Sequence, residues 1–232
     1  MGIDQTDGIY FDNIFASNEG YVARQIKNND PQRLVLTWRF RFDGVSHISI
    51  PLSSSSINWS GSTVSFFEGY EYASEFFKRC RDDSFDRGVI VDLNILYSLM
   101  HGMVLQHEKL VDRFGPPYPY QMKIVARGIW RRIPFIDAKG YLDFIARYGI
   151  PVVQTDHASW PPNLNTMELE ERGERSAPDW TLMKSAFAFL GACRAFGIPD
   201  DQIYSNYDWL GELNGLWART RRVQNNRDSL KE

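Results

Sequence analysis

Arg127-Gly128-Ile129-Trp130-Arg131-Arg132 sets three guanidinium groups around one indole within six residues. Guanidinium groups make charge-assisted hydrogen bonds to phosphate oxygens, and an indole offers a face on which a base can stack. Arg219, Arg221 and Arg222, just after Trp217, form a second basic cluster. The plainer reading of both is a solvated surface on which an arginine or two lies over tryptophan and nearby acids take up the charge. Asp156-His157 follows the apolar, strand-like stretch Ile150 to Val153. An acid beside an imidazole in a loop can act as an acid–base pair. Its alternative is a turn capped by the aspartate, since sequence neighbours rarely orient one another and no nucleophile is identifiable.

Asp137-Ala138-Lys139 comes at the end of another strand-like run. This is the half-motif that metal-dependent nucleases of the PD-(D/E)xK type set beside a second acid to hold Mg²⁺. No upstream Pro-Asp on a hairpin completes it, and Asp137 has a sufficient structural task as N-cap of the helix that follows. His101 and His107 are six apart on one helix, so they project from different faces and cannot share a metal as an i, i+4 pair can. His107 lies on an apolar stripe and reads as a hydrogen-bonded core histidine. The chain has no phosphate-loop, dinucleotide-fold, nucleophile-elbow or H-E-x-x-H signature. No metal site and no cofactor is expected.

The elements that must carry these residues can be placed from periodicity. Between Arg33 and Leu52 the chain alternates, with Leu34, Leu36, Trp38, Phe40 and Phe42 on one face and Val35, Thr37, Arg39 and Arg41 on the other. Asp43-Gly44 between two such runs predicts a hairpin. Leu93, Leu96, Met100, Met103, His107, Leu110 and Phe114 recur every three or four residues and predict a helix over 91–114. A second strand pair is expected from Tyr120 to Ala126 and back from Arg132 to Ile136, with Arg127 to Arg131 at the hairpin tip. A short helix follows from Asp137 to Tyr148, and another, apolar nearly all round and therefore buried, from Pro178 to Phe196. Residues 71–80 fit strand or helix alike.

The 232 residues carry a formal charge of −3, so no global positive field draws nucleic acid or anionic lipid to the chain. Any such contact needs a local patch. Aromatics make up 14% of the residues, which is first of all a packing resource. Cys80 and Cys193 sit singly in apolar or helical runs, against a disulfide framework and for a reducing compartment. There is no apolar run of membrane-spanning length and no signal peptide, so a cytoplasmic protein without membrane contact is expected.

Two stretches carry a resemblance. Met122 to Phe144, MKIVARGIWRRIPFIDAKGYLDF, delivers an acid from a strand into a helix; Leu182 to Trp217 is an Ala- and Phe-rich helix ending in Gly-Ile-Pro and leading to Ser205-Asn206-Tyr207-Asp208. Together they resemble the C-terminal accessory region of bacterial Schlafen-like, Alba-type DNA-binding proteins, over about a third of the chain. The resemblance implies an accessory or sensing element. It carries over no catalytic residue, because the strand with a Glu-x-Lys-like core that marks the family's N-terminal domain is lacking.

The expectation is a single α+β domain over 1–232, with antiparallel hairpins packed against the long helix and the buried C-terminal helix. A polar, acidic surface loop lies near 159–177 and a charged tail at 219–232. The expected function is a non-enzymatic accessory domain making protein or weak nucleic-acid contacts in a regulatory or defence system. Arg127, Trp130, Arg131 and Arg132 lead, with Arg219, Arg221 and Arg222 behind them. The alternatives are a metal-dependent nuclease or other hydrolase using Asp137 and Lys139 or Asp156 and His157, and a structural subunit of an oligomer.

Overall fold

A computed structural model describes residues 13–26, 34–43, 45–52, 54–56, 66–85, 88–114, 120–161, 167–169, 178–199 and 209–229. Its contacts divide the chain into two compact units, Met1–Leu52 with His101–Tyr118, and Ser53–Met100 with Pro119–Glu232. Together the described helices and antiparallel-rich sheets make an α+β fold.

The first unit holds a four-stranded antiparallel sheet in the order β1 (Asn13–Ser17), β2 (Gly20–Ile26), β3 (Leu34–Arg41), β4 (Ser46–Ser49). The expected hairpin is β3–β4, with Phe40 opposite Ser46 and Thr37 opposite Ser49. At its turn the Asp43 carboxylate accepts the Val45 N–H at 3.1 Å, and this bond, helped by Arg41, holds the carboxyl below its ordinary value. Trp38 is buried, and both it and Phe40 meet the His107 ring, 6.3 Å away in each case. His107 Nδ1 lies 3.2 Å from Ser46 Oγ, so the ring is hydrogen-bonded as expected, though half-buried and not in the core. Gly20 is required by a close approach: a Cβ there would come within 2.0 Å of the Phe40 carbonyl oxygen on the neighbouring strand.

The second unit is built around β5 (Ser54–Ser56), β6 (Val89–Asp92) and β9 (Arg132–Phe135). β6 and β9 run parallel, with Ile90 opposite Ile133 and Asp92 opposite Phe135. The helix expected from Val91 is therefore preceded by a strand: α2 runs Leu93–Phe114, and residues 89–92 are extended and buried from Ile90 onward. Residues 71–80, which fit strand or helix alike by pattern, are helical from Ala73 onward, in α1 (Ala73–Asp82). Its Phe76 and Phe77 join Phe67, Tyr70 and Phe135 in a buried cluster, with Phe135 meeting Phe67, Tyr70 and Phe76 at ring distances of 5.4, 5.6 and 4.9 Å. Aromatic packing of this kind explains much of the compositional excess.

Three expectations are corrected here. β8 (Ile124–Arg127) does not return through β9; it pairs antiparallel with β10 (His157–Trp160), while β9 pairs with β6, so residues 127–132 link two sheets and are not a hairpin tip. Asp137 does not cap the helix after it: α3 (Lys139–Tyr148) has Ala138 at its N-cap and no side-chain cap bond. The segment expected as a charged tail from 219 belongs to α5 (Trp209–Ser229), a helix that buries Leu216, Thr220 and Val223. Inside the expected surface loop, β10 extends to Trp160 and β11 (Met167–Leu169) pairs with β7 (Tyr120–Met122); residues 162–166 and 170–177 lie outside those described.

α4 (Pro178–Ala195) is the buried helix the sequence predicts, lying on β8 and β10. The approach is close at Gly191, where a Cβ would stand 2.8 Å from Trp160 Cε3 and 2.9 Å from Ile124 Cδ1. Among the described residues no helix is long and apolar enough to cross a membrane.

Candidate functional site

The basic segment is tied down through its backbone and exposes most of its side chains. Ile129 is fully buried and its N–H donates to the Asp156 carbonyl at 3.2 Å. The Arg131 N–H donates to the Val153 carbonyl at 2.9 Å, and the Val153 N–H returns to the Arg132 carbonyl at 3.1 Å. Residues 150–153, expected as a strand, thus bond to this segment without forming one. Gly128 and Arg131 both take left-handed backbone, at φ 66° and 56°. For Gly this is free; for Arg it is strained and persists because the flanking bonds dictate it.

This backbone turns Ile129 inward and Trp130 outward, 54% exposed. The Arg131 guanidinium lies over the Trp130 ring, 4.5 Å from its centroid. Arg127, exposed at the end of β8, stands opposite His157, and Arg132 turns its Nε to the Gly128 carbonyl at 3.3 Å. None of Arg127, Arg131 and Arg132 forms an ion pair with an acid among the described residues. Asp156 and His157 are both exposed; His157 opens β10 rather than sitting in a loop, and Asp156 meets this segment through its backbone carbonyl.

Arg219 is placed differently. It reaches from α5 to Asp137, donating from Nε to the carboxylate at 2.7 Å and from Nη2 to the main-chain carbonyl at 2.9 Å, and it meets Glu71 at 3.4 Å. Asp137 is fully buried, and its second carboxylate oxygen accepts the Tyr72 N–H at 2.8 Å, just before α1. Its own N–H donates to Asn94 Oδ1 at 2.8 Å. Asn94 in turn donates its N–H and its side-chain amide to Asp92 Oδ1, 3.0 Å each, and the Tyr70 hydroxyl donates to the Asp92 carboxylate at 2.9 Å.

Asp92 and Asp137 thus end or follow two neighbouring parallel strands, the position where open α/β sheets carry their ligand sites. Here that position is closed: Asp92, Asn94 and Asp137 have no exposed surface, and both Asp137 oxygens are engaged by protein donors. Sequence reasoning reached Asp137 but missed Asp92 and Asn94. The signal available was the repeated pattern of apolar strand ending in aspartate, Val89 to Asp92 and Ile133 to Asp137.

Lys139 turns away from Asp137 to pair with Asp143 at 3.0 Å on the helix surface, and this bond raises its pKa. Among the described residues no group of three or more His, Cys, Asp or Glu side chains is placed to hold a metal ion. Arg221 stacks on Trp217 at 5.0 Å, and Arg222 is exposed on α5. The segment Ser205 to Asp208 lies outside the described residues. The chain matches no family model, no curated protein and no solved structure.

Proposed function

We propose that this chain is a non-enzymatic accessory module that makes weak contact with nucleic acid through the surface formed by Arg127, Trp130, Arg131 and Arg132. The observation that carries the reading is an exposed indole between two left-handed residues, with the Arg131 guanidinium over its ring, Arg127 and Arg132 close by in the chain, and no acid paired to any of the three among the described residues. Solvated surface cations on an acidic chain ordinarily find carboxylates, as Arg41, Arg79 and Lys139 do here. Arginines left without them keep their charge for a phosphate, and Trp130 is turned to take the face of an unpaired base.

The test is a salt series of binding to single-stranded and duplex DNA and RNA, with the four residues changed to alanine together. Each guanidinium that meets a phosphate contributes about 0.7 to the slope of log affinity against log salt for single strands, so losing three should flatten the slope by about 2. Unchanged binding by the quadruple variant overturns the assignment. An absence of nucleic-acid binding at low salt, with a mass above the monomer by light scattering, moves the contact to protein.

A further inference from the structure

The register of the four-stranded sheet sorts its residues onto two faces. Residues directly opposite share a face, so Phe15, Val22, Arg39 and His47 lie in one row across β1 to β4, and Arg24, Thr37 and Ser49 lie in the next. The other face carries Trp38 and Phe40 and is the one that packs on His107. The first face is basic. Of its arginines, Arg41 is neutralised at the turn by Asp43 at 2.9 Å and Glu19 at 3.7 Å. Arg24 and Arg39 form no ion pair among the described residues, and Arg39 and His47 are exposed.

Two further details point to a ligand. The Arg24 guanidinium lies over the Phe15 ring, 5.0 Å from its centroid, and Phe15 is itself exposed. Opposite each other in the register, Arg24 Nε and Thr37 Oγ1 are buried, and neither has a hydrogen-bond partner among the described residues. A buried donor left unmade costs free energy, so such a pair is retained where something else supplies the acceptor.

We propose that this face is a binding surface for single-stranded nucleic acid, independent of the Trp130 surface. In the bound state Arg24 swings off Phe15, so that its guanidinium and the Thr37 hydroxyl donate to one phosphate, and a base takes the vacated place on the Phe15 ring. Arg39 meets a neighbouring phosphate. The choice of a single strand follows from the ring: a duplex hides its base faces, a lipid headgroup has none, and an acidic protein segment satisfies the arginines but leaves Phe15 unused.

The experiment uses the full chain, a twenty-nucleotide single strand, a duplex of equal length and vesicles containing anionic lipid. Four variants are compared, R24Q/R39Q, T37V, F15L and R127Q/R131Q/R132Q, together with the first and last combined. R24Q/R39Q should flatten the single-strand salt slope by about 1.4, two phosphates' worth, in the wild-type background and again in the R127Q/R131Q/R132Q background. T37V removes a hydroxyl that has no partner among the described residues; it should leave thermal stability unimpaired while weakening single-strand binding several-fold. Phe15→Leu should cost about 5- to 150-fold in affinity, the range for losing one base stack.

An unchanged slope in R24Q/R39Q, or a preference for duplex or vesicles over the single strand, overturns the proposal. Loss in R24Q/R39Q without loss in R127Q/R131Q/R132Q leaves the sheet face standing and removes the Trp130 surface. The converse result removes the sheet face alone.

Discussion

Arg131 separates the two things a residue at this surface can do, because its backbone strain and its side-chain contact oppose each other. At φ 56° a non-glycine residue is strained by about 1–2 kcal/mol, which glycine does not incur. Against that relief, Arg131→Gly frees more of the unfolded chain, costing about 0.4–1 kcal/mol, and loses the cation–π contact to Trp130, about 0.5–1 kcal/mol at an exposed site. The sum lies near zero. Arg131→Ala loses the same contact and keeps the strain, so it should be less stable than Arg131→Gly by about 1 kcal/mol. Denaturant unfolding of the three proteins gives the order, with wild type and glycine close together and alanine below. Single-strand binding, measured on the same samples, should fall equally in both variants. A glycine variant less stable than the alanine one refutes the left-handed assignment; an alanine variant that binds as wild type does refutes the role of the guanidinium.

Asp137→Ala should cost about 3–5 kcal/mol of stability by denaturant unfolding, because it leaves the Arg219 guanidinium, only 21% exposed, and the Tyr72 N–H without their buried acceptor. Lys139→Ala, which breaks only a surface pair with Asp143, should unfold as wild type does, and equal losses in the two would contradict the separation of this pair. Burial pushes the Cys80 thiol up to about 12, with the Asp83 charge adding to it. The unfolded chain ionises this thiol near its ordinary value of 9.0 and the folded chain does not, so its contribution to stability is complete below pH 9 and is lost as pH rises from 9 towards 12. Alkylation at pH 8 should follow global unfolding, and rapid labelling of the native protein would contradict the burial.

Local patterns that were legible in the sequence are those whose partners lie nearby in the chain. The β3–β4 hairpin is written in alternation around Asp43, and α2 and α4 in their periodicity, so the α+β class follows directly. β6 was hidden because its Ile90 and Val91 run without a break into the helical stripe that begins at Leu93. Strand pairing across long separations is set by burial in the finished fold, which is why β8 joins β10 and β9 joins β6 although β8 and β9 are only a few residues apart. The same holds for the polar residues. Arg219 reads as part of a basic surface beside Arg221 and Arg222 until Asp137, 82 residues away, is brought against it.

The net charge of −3 is a poor guide to what this chain can touch, because its acids are not spread evenly against its bases. Asp137 and Glu71 are taken up by Arg219, Asp83 by Arg79, Asp143 by Lys139, and Asp43 with Glu19 by Arg41. Each of those pairs fixes a helix, a turn or the join between strand ends. Arg24, Arg39, Arg127, Arg131 and Arg132 stand outside this pairing among the described residues, and two of the five, Arg24 and Arg131, lie against an exposed aromatic ring. A guanidinium stacked on a ring in water gains little from the contact, so it can leave the ring to a base at small cost and turn to a phosphate. If charge pairing alone governed these positions, replacing Arg24 and Arg131 by lysine would preserve binding. Because the planar fork and its stacking are what the surface offers, both lysine variants should bind more weakly than wild type at equal net charge, with their salt slopes unchanged.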